Sequence, residues 1–402
     1  MPHAGGAAWH FGFAGSIGRN ISLMLLELLY RQTGVFLFNS RLFATGMATL
    51  FSFVCAIAFF PPYIRALRRF NCSSEFVENG QHNEPVMPAG ILFLGIIVLS
   101  ALISVRFNSY VISGLVIYTF FSVIGAVDDI AKVVNKRRVA DGKISKEEYQ
   151  YKADGISAGL RLTLYLIIPL VVAIVAYKYI PNINGHLTLP FLSSEKFLPY
   201  LPFWVFIPLM ALTIAIMANG VNFTDGLDTL AAVPLITCAV FVGIIAYVSS
   251  NMNWSSYLLI PFIPGVEELL PLIGSAVGTL LAFLWYNSPP STIIMGDSGS
   301  IGLGGLLGII FIFTKSVFYL PIVGFVFALE FISVVLQIGY FKTTKGKRLF
   351  RMAPIHHHFQ LVMKSNPYYR GAFHVRSKIT WRLHIVSVVL LVVGLVVFLK
   401  VR

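Results

Sequence analysis

The residues of this chain best suited to chemistry are carboxylates, and they sit in short polar islands between long apolar runs. Asp128 and Asp129 are adjacent, and Lys132 follows one helical turn later. Neighbouring aspartates repel, so one keeps its proton unless a cation compensates. The pair suits a base or a Mg2+ ligand and Lys132 suits a phosphate. An ion-paired helix end is the simpler alternative. Asn222, Asp225 and Asp228 recur every three residues after Asn219. This spacing predicts one helical face of hard oxygen ligands. Such a face suits Mg2+, which takes one or two carboxylates plus substrate phosphates. A solvated turn with Asx caps explains one Asp-Gly pair, but not the whole set.

Two further islands follow. Asn287 precedes the run Met295-Gly296-Asp297-Ser298-Gly299-Ser300, which opens an apolar helix. The glycines and the free N–H groups of a helix start suit an anion such as phosphate. Small residues also serve helix packing in membranes. Arg348 and Arg351 lead into Pro354-Ile355-His356-His357-His358-Phe359. Three consecutive histidines cannot all face one metal on a regular helix, and the i,i+4 spacing of zinc enzymes is missing. A polar cluster that hydrogen-bonds a substrate is the better reading. Glu330 lies within an apolar run and should pair with a polar group or mark a helix break near the site. A packed neutral glutamic acid is its plain alternative.

The elements that must position these groups follow from composition. The chain has 402 residues, 57% hydrophobic and 12% charged, with a net charge of +13 and a mean hydropathy of +0.79. Soluble domains carry about 25% charged residues. The composition therefore excludes disorder, collagen, coiled coil and an ordinary soluble enzyme. Membrane β-barrels alternate over about ten residues, whereas the runs here are continuous. The fold class expected is all-α and polytopic, with ten transmembrane helices near 43–64, 86–104, 109–127, 159–178, 201–218, 230–248, 267–286, 300–314, 318–340 and 382–400. Residues 1–42 are expected outside or at the interface, with Glu27 and Arg31 on a helix lying in the interface. Residues 43–402 form a single membrane domain. No signal peptide is read before Arg19.

Ten spans divide the loops into two sets. One contains 21 of the 30 Lys and Arg residues, in 65–85, 128–161 and 341–382. The positive-inside bias places that set in the cytoplasm and both termini outside. The basic charge thus reflects topology, and no nucleic-acid partner is expected. Asp128, Asp129, Asp225, Asp228 and Asp297 all fall at cytoplasmic ends of spans, where unpaired carboxylates are costly. Cys55, Cys72 and Cys238 have no metal-like spacing, and no disulfide framework is implied.

Taken in order, Asp-Asp-x-x-Lys, Asn-x-x-Asn-x-x-Asp-Gly-Leu-Asp, Met-Gly-Asp-x-Gly-Ser and Pro-Ile-His-His-His-Phe resemble the phospho-N-acetylmuramoyl-pentapeptide transferases. These are a branch of the polyprenyl-phosphate N-acetylhexosamine-1-phosphate transferases. The resemblance covers roughly 45–400, and the triple histidine narrows it to this branch. It implies that Asp128 and Asp129 handle the lipid phosphate or the metal, that Lys132 lies near phosphate, and that Asp225 and Asp228 act in catalysis beside Asn222. It further implies uridine contacts at Gly226 and Leu227, Mg2+ on Asp297 with Asp225, a nucleotide contact at Asn287, and substrate contacts at His356, His357 and His358. The sequence departs from the family pattern at Glu84–Gly90, Thr229, Ile294, Gln360 and Arg161, and it carries a basic insert from Lys136 to Lys152.

The activity implied is transfer of phospho-MurNAc-pentapeptide from UDP-MurNAc-pentapeptide to undecaprenyl phosphate, giving lipid I and UMP. It is expected in the bacterial inner membrane, facing the cytoplasm, with a homodimer left open. A relative using UDP-GlcNAc is the near alternative. A cation-coupled transporter is the alternative of a different class, although transporters put ionisable groups near the bilayer midplane.

Overall fold

The computed structural model describes residues 25–72, 85–140, 158–180, 182–192, 198–369 and 374–399. Glu84, the insert from residue 141 onward, the segment before Leu25 and the side chain of Arg161 lie outside the described residues.

A backbone in lipid must satisfy its own hydrogen bonds, so continuous apolar runs fold as helices. In chain order they are α1 (Leu25–Thr33), α2 (Arg41–Arg69), α3 (Gly90–Ser104), α4 (Ser109–Ala140), α5 (Ala158–Tyr179), α6 (Phe203–Thr224), α7 (Ala232–Ser250), α8 (Met252–Leu258), α9 (Leu269–Asn287), α10 (Asp297–Phe313), α11 (Leu320–Val323), α12 (Phe325–Thr343), α13 (Ile355–Ser365) and α14 (Val375–Leu399). Seven described helices are long and apolar enough to cross a membrane: α2, α4, α6, α7, α9, α12 and α14. Three shorter apolar helices, α3, α5 and α10, complete the ten expected runs. The differences lie at the edges. The eighth run starts at Asp297, the ninth is interrupted at Gly324 between α11 and α12, and the last starts at Val375.

α10 sits at the centre. It is buried from Ser298 through Phe313 and packs against α4 on one side and α6 on the other. Membrane helices gain little from apolar burial against each other, so close packing must hold them. Gly302 lies against Ser122 of α4, and Gly304 lies against Met217 and Ala218 of α6, where a Cβ would collide. α2, α12 and α14 instead expose apolar faces through residues such as Leu50, Val54, Ile332, Val335, Val388 and Val392.

Contacts between loops sort the two ends of the bundle. At one end Arg41 pairs with Glu268 at 3.0 Å, Asn108 Nδ2 donates to the Gly265 carbonyl, and Thr188 N–H donates to the Lys315 carbonyl. Glu27 joins this end, 2.6 Å from Arg31 and 3.1 Å from Arg106. At the other end the C-termini of α6 and α9, the N-terminus of α10 and the later part of α4 meet. α4 rises about 30 Å between Ser109 and Asp129, roughly the apolar thickness of a bilayer. Asp128 and Asp129 therefore lie at its edge, and the rest of α4 projects beyond.

Candidate active site

The site is built on the start of α10. Gly296 precedes it with φ +77°, a left-handed conformation that glycine adopts without strain. This turn aims three backbone N–H groups at two carboxylates. Gly296 N–H donates to Asp225 Oδ2 at 3.2 Å. Asp297 N–H and Ser298 N–H donate to Asp129 Oδ1 and Oδ2 at 3.0 and 2.9 Å. The positive end of the helix dipole favours such anions. This corrects one expectation: these donors serve the protein's own carboxylates and are not left free for a phosphate. Gly125, one turn before Asp129, has no room for a Cβ against the Asp297 backbone, so α4 and α10 meet closely here.

Lys132 links the two helices. Its Nζ donates to Asp297 Oδ2 at 2.7 Å and lies 2.9 Å from Asp128 Oδ2. The Asp128 side chain is 0% exposed, against 29% for Lys132 and 15% for Asp297. Lys132 and Asp297 thus keep a part of their side chains accessible, whereas Asp128 and Asp129 are wholly buried. Asn222 donates to Asp297 Oδ1 at 2.8 Å and to Ser300 Oγ at 3.0 Å.

α6 ends at Thr224, with Asp225 as its C-cap. Asn222, Asp225 and Asp228 therefore do not share one helical face, as their spacing predicts; the last two stand on a turn. Thr229 carries φ +63° there, which no helix accommodates. Its N–H donates to Asn287 Oδ1 at 2.7 Å, and its carbonyl lies 3.0 Å from His384 Nε2. Asn287 also donates to the Ile293 carbonyl at 2.8 Å. Ser291 Oγ donates to Asp228 Oδ1 at 2.9 Å. Burial pushes the Asp225 carboxyl well above the usual carboxylate range, and the charges of Asp297, Asp129 and Asp228 add to this against the Gly296 N–H.

The loop before α3 backs the same turn. Val86 forms a parallel bridge with Ile293. Ile294 N–H donates to the Val86 carbonyl at 2.8 Å, and Gly90 N–H to the Met295 carbonyl at 3.0 Å. The segment 85–90, which departs from the family pattern, thus braces the Met-Gly-Asp turn.

The three histidines open α13, and successive helix positions send them to different neighbours. His356 is buried against Glu330 and Gly226. His357 Nδ1 lies 2.8 Å from Gln360 Oε1, and burial lowers its pKa. His358 Nδ1 accepts from Arg351 N–H at 3.1 Å. Gly226 is exposed beside His356. Leu227 is instead packed with Leu230, Val326, Val375, Ile379 and Leu383.

One network therefore joins Asp128, Asp129, Lys132, Asn222, Asp225 and Asp297, with Asp228 and Asn287 on the adjoining turn. Sequence reasoning gave no role to Ser291, Ser300 or Gly125. Ser300 closes the Met-Gly-Asp-x-Gly-Ser motif, and Gly125 is a small residue four before Asp129 in an apolar helix; Ser291 carried no signal. Among the described residues no group of three or more His, Cys, Asp or Glu side chains is arranged to hold a metal alone. Mg2+ needs no such cage, since it keeps waters and substrate phosphates and takes one or two carboxylates. The hard oxygens of Asp297 and Asp225, on either side of the Gly296 turn, fit that requirement.

Comparison with known proteins agrees. The family model described as glycosyl transferase family 4 matches residues 111–315, which include three of the four motifs. A phospho-N-acetylmuramoyl-pentapeptide-transferase of Bartonella quintana is 37% identical over 369 residues, covering 90% of this chain and 95% of the relative. The protein of that name from Nautilia profundicola is 35% identical over 347 residues, covering 84% and 92%. One from Nitratiruptor is 36% identical over 344 residues, covering 83% and 91%. With its motifs gathered at one helix start and its similarity running along most of its length, this chain belongs to the phospho-N-acetylmuramoyl-pentapeptide transferases of glycosyl transferase family 4.

Proposed function

We propose that this protein transfers phospho-MurNAc-pentapeptide from UDP-MurNAc-pentapeptide to undecaprenyl phosphate, releasing UMP and forming lipid I. The observation that carries this reading is that Lys132 meets Asp297 while Asp225 takes the adjacent Gly296 N–H, so that three separate segments converge at the edge of the apolar zone. One substrate is a soluble pyrophosphate and the other keeps its tail in lipid, so the reaction belongs where the two phases meet. The protein lies in the bacterial inner membrane, and the site faces the cytoplasm. The loop set that holds 21 of the 30 Lys and Arg residues includes Lys132 of this site, which supports that orientation.

Phosphoryl transfer is mainly positioning and charge neutralisation. Asp297, with Asp225, would hold Mg2+, which when bound neutralises the pyrophosphate and the departing UMP. Lys132 adds positive charge beside it. Asp128 holds Lys132 in place, and Asp129 fixes the turn before α10. The acceptor phosphate is already largely dianionic at neutral pH, with a second pKa of about 6. Transfer therefore needs no strong base. Asp228 lies on the same turn to orient that acceptor. Asn222 holds Asp297, while Gly226 leaves an open surface for the nucleotide between Asn287 and the histidines.

The test is UMP release by the purified protein with both substrates and Mg2+, with and without chelator. Running UDP-MurNAc-pentapeptide beside UDP-GlcNAc decides between the two donors. Absence of UMP with either donor overturns the reading.

A further inference from the structure

A carboxylate buried in a membrane helix is expensive unless something nearby uses it. Glu330 on α12 and His356 on α13 are both 0% exposed, with Oε2 and Nδ1 3.1 Å apart. The His356 backbone N–H also donates to the same Oε2 at 3.4 Å. α13 opens on Pro354, which provides no side-chain cap. Glu330 therefore supplies, from another helix, the acceptor and the negative charge that a helix start requires. Neither ring nitrogen completes a hydrogen bond: Nδ1 stands 3.1 Å from Oε2, and Nε2 lies on the other side of the ring. It rests on Gly226, where an added Cβ would overlap it. A bare lone pair fits against a Cα–H, whereas an N–H at that atom would press a polar hydrogen into the turn.

Building on the function proposed above, we infer that Glu330 is a positioning residue. It holds the His356 ring with the proton on Nδ1 and Nε2 against Gly226, and this wall sets the Asp225–Asp228 turn. Second partners of this kind fix the tautomer and direction of functional histidines elsewhere. The chain of contact runs from α12 through one imidazole to the residue next to Asp225. Nothing in the transfer chemistry requires Glu330 to touch substrate.

The experiment uses the full chain in detergent. Nitrogen NMR of histidine-labelled protein, with His356→Asn to identify the signal, should show His356 protonated at Nδ1. Glu330→Gln keeps an acceptor oxygen and should retain that tautomer, with kcat/KM for the donor within about threefold of wild type. Glu330→Ala should lose the tautomer and lower kcat/KM by at least about tenfold. The double variant Glu330→Ala with His356→Asn should lose no more than the worse single variant, because the two act as a unit. A wild-type ring protonated at Nε2, additive losses, or an unchanged Glu330→Ala would each overturn the inference. If Glu330→Ala does not fold, Glu330→Asp keeps the charge but falls one methylene short, and full activity there overturns it equally. Should wild type release no UMP, the proposed function fails, while the NMR result still decides the Glu330–His356 pairing.

Discussion

Lys132 and Asp297 stand 165 positions apart in the chain, yet their side chains meet at 2.7 Å across the α4–α10 contact. Because Lys132 also holds the buried Asp128, one ammonium serves two acids. Lys132→Met should reduce UMP release by about a hundredfold or more, the scale of losing one preorganised electrostatic group. Lys132→Arg should not restore it, since a planar fork cannot replace a compact charge between two carboxylates. Steady-state kinetics on both variants checks this.

Asp297→Asn should fold, because Asn222 and the backbone donors remain, and should lose most of its activity. Its melting temperature in detergent should stay close to that of wild type. Substantial turnover by Asp297→Asn at saturating Mg2+ would remove Asp297 from the metal role.

The raised pKa of Asp225 gives a pH prediction. A carboxyl that holds its proton above the usual range must release it before it can bind a cation. As pH falls, more Asp225 is protonated and the Mg2+ concentration for half-maximal rate should rise; as pH climbs, it should fall. Mg2+ titrations of the rate across pH would show this. A requirement that does not change with pH would contradict it.

Thr229 is a β-branched residue at φ +63°. Its interactions with Asn287 and His384 run through its backbone, so glycine would keep them. Thr229→Gly should therefore stabilise the protein by about 1 kcal/mol, the cost of the left-handed conformation for an ordinary residue. Thermal unfolding of the two proteins side by side is the measurement.

Gly296→Ala should do the opposite. A Cβ there would meet Asp129 Oδ2 and Pro88 Cβ, and φ is +77°. A loss of about 1–3 kcal/mol is expected from the backbone alone, together with lower activity as the α10 start shifts. Thermal unfolding and UMP release report the two effects separately.

The apolar runs were legible because lipid demands continuous hydrophobicity, and the motifs were legible because acids are rare in such a chain. Two local readings failed for long-range reasons. The spacing of Asn222, Asp225 and Asp228 suggested a helical face, but the helix stops at Thr224 and the chain turns through Thr229. The glycine-rich start of α10 suggested an open anion cradle, yet its donors are taken by Asp129, 168 positions away, and by Asp225. Pattern gives the donors but not which distant acid reaches them. Glu330 was expected to pair with a polar group or mark a helix break; it lies inside α12, and that its neighbour is His356, 26 positions on, needed the structure.

α10 has only 17 residues, a rise of about 25 Å in a hydrocarbon layer nearer 30 Å. Asp129 reaches the apolar boundary on α4, so the tip of α10 that it caps stands at that boundary and the shortfall falls at the far end. A phosphate on a lipid carrier can then reach the tip with little vertical travel, and a water-borne nucleotide meets it without crossing the apolar layer.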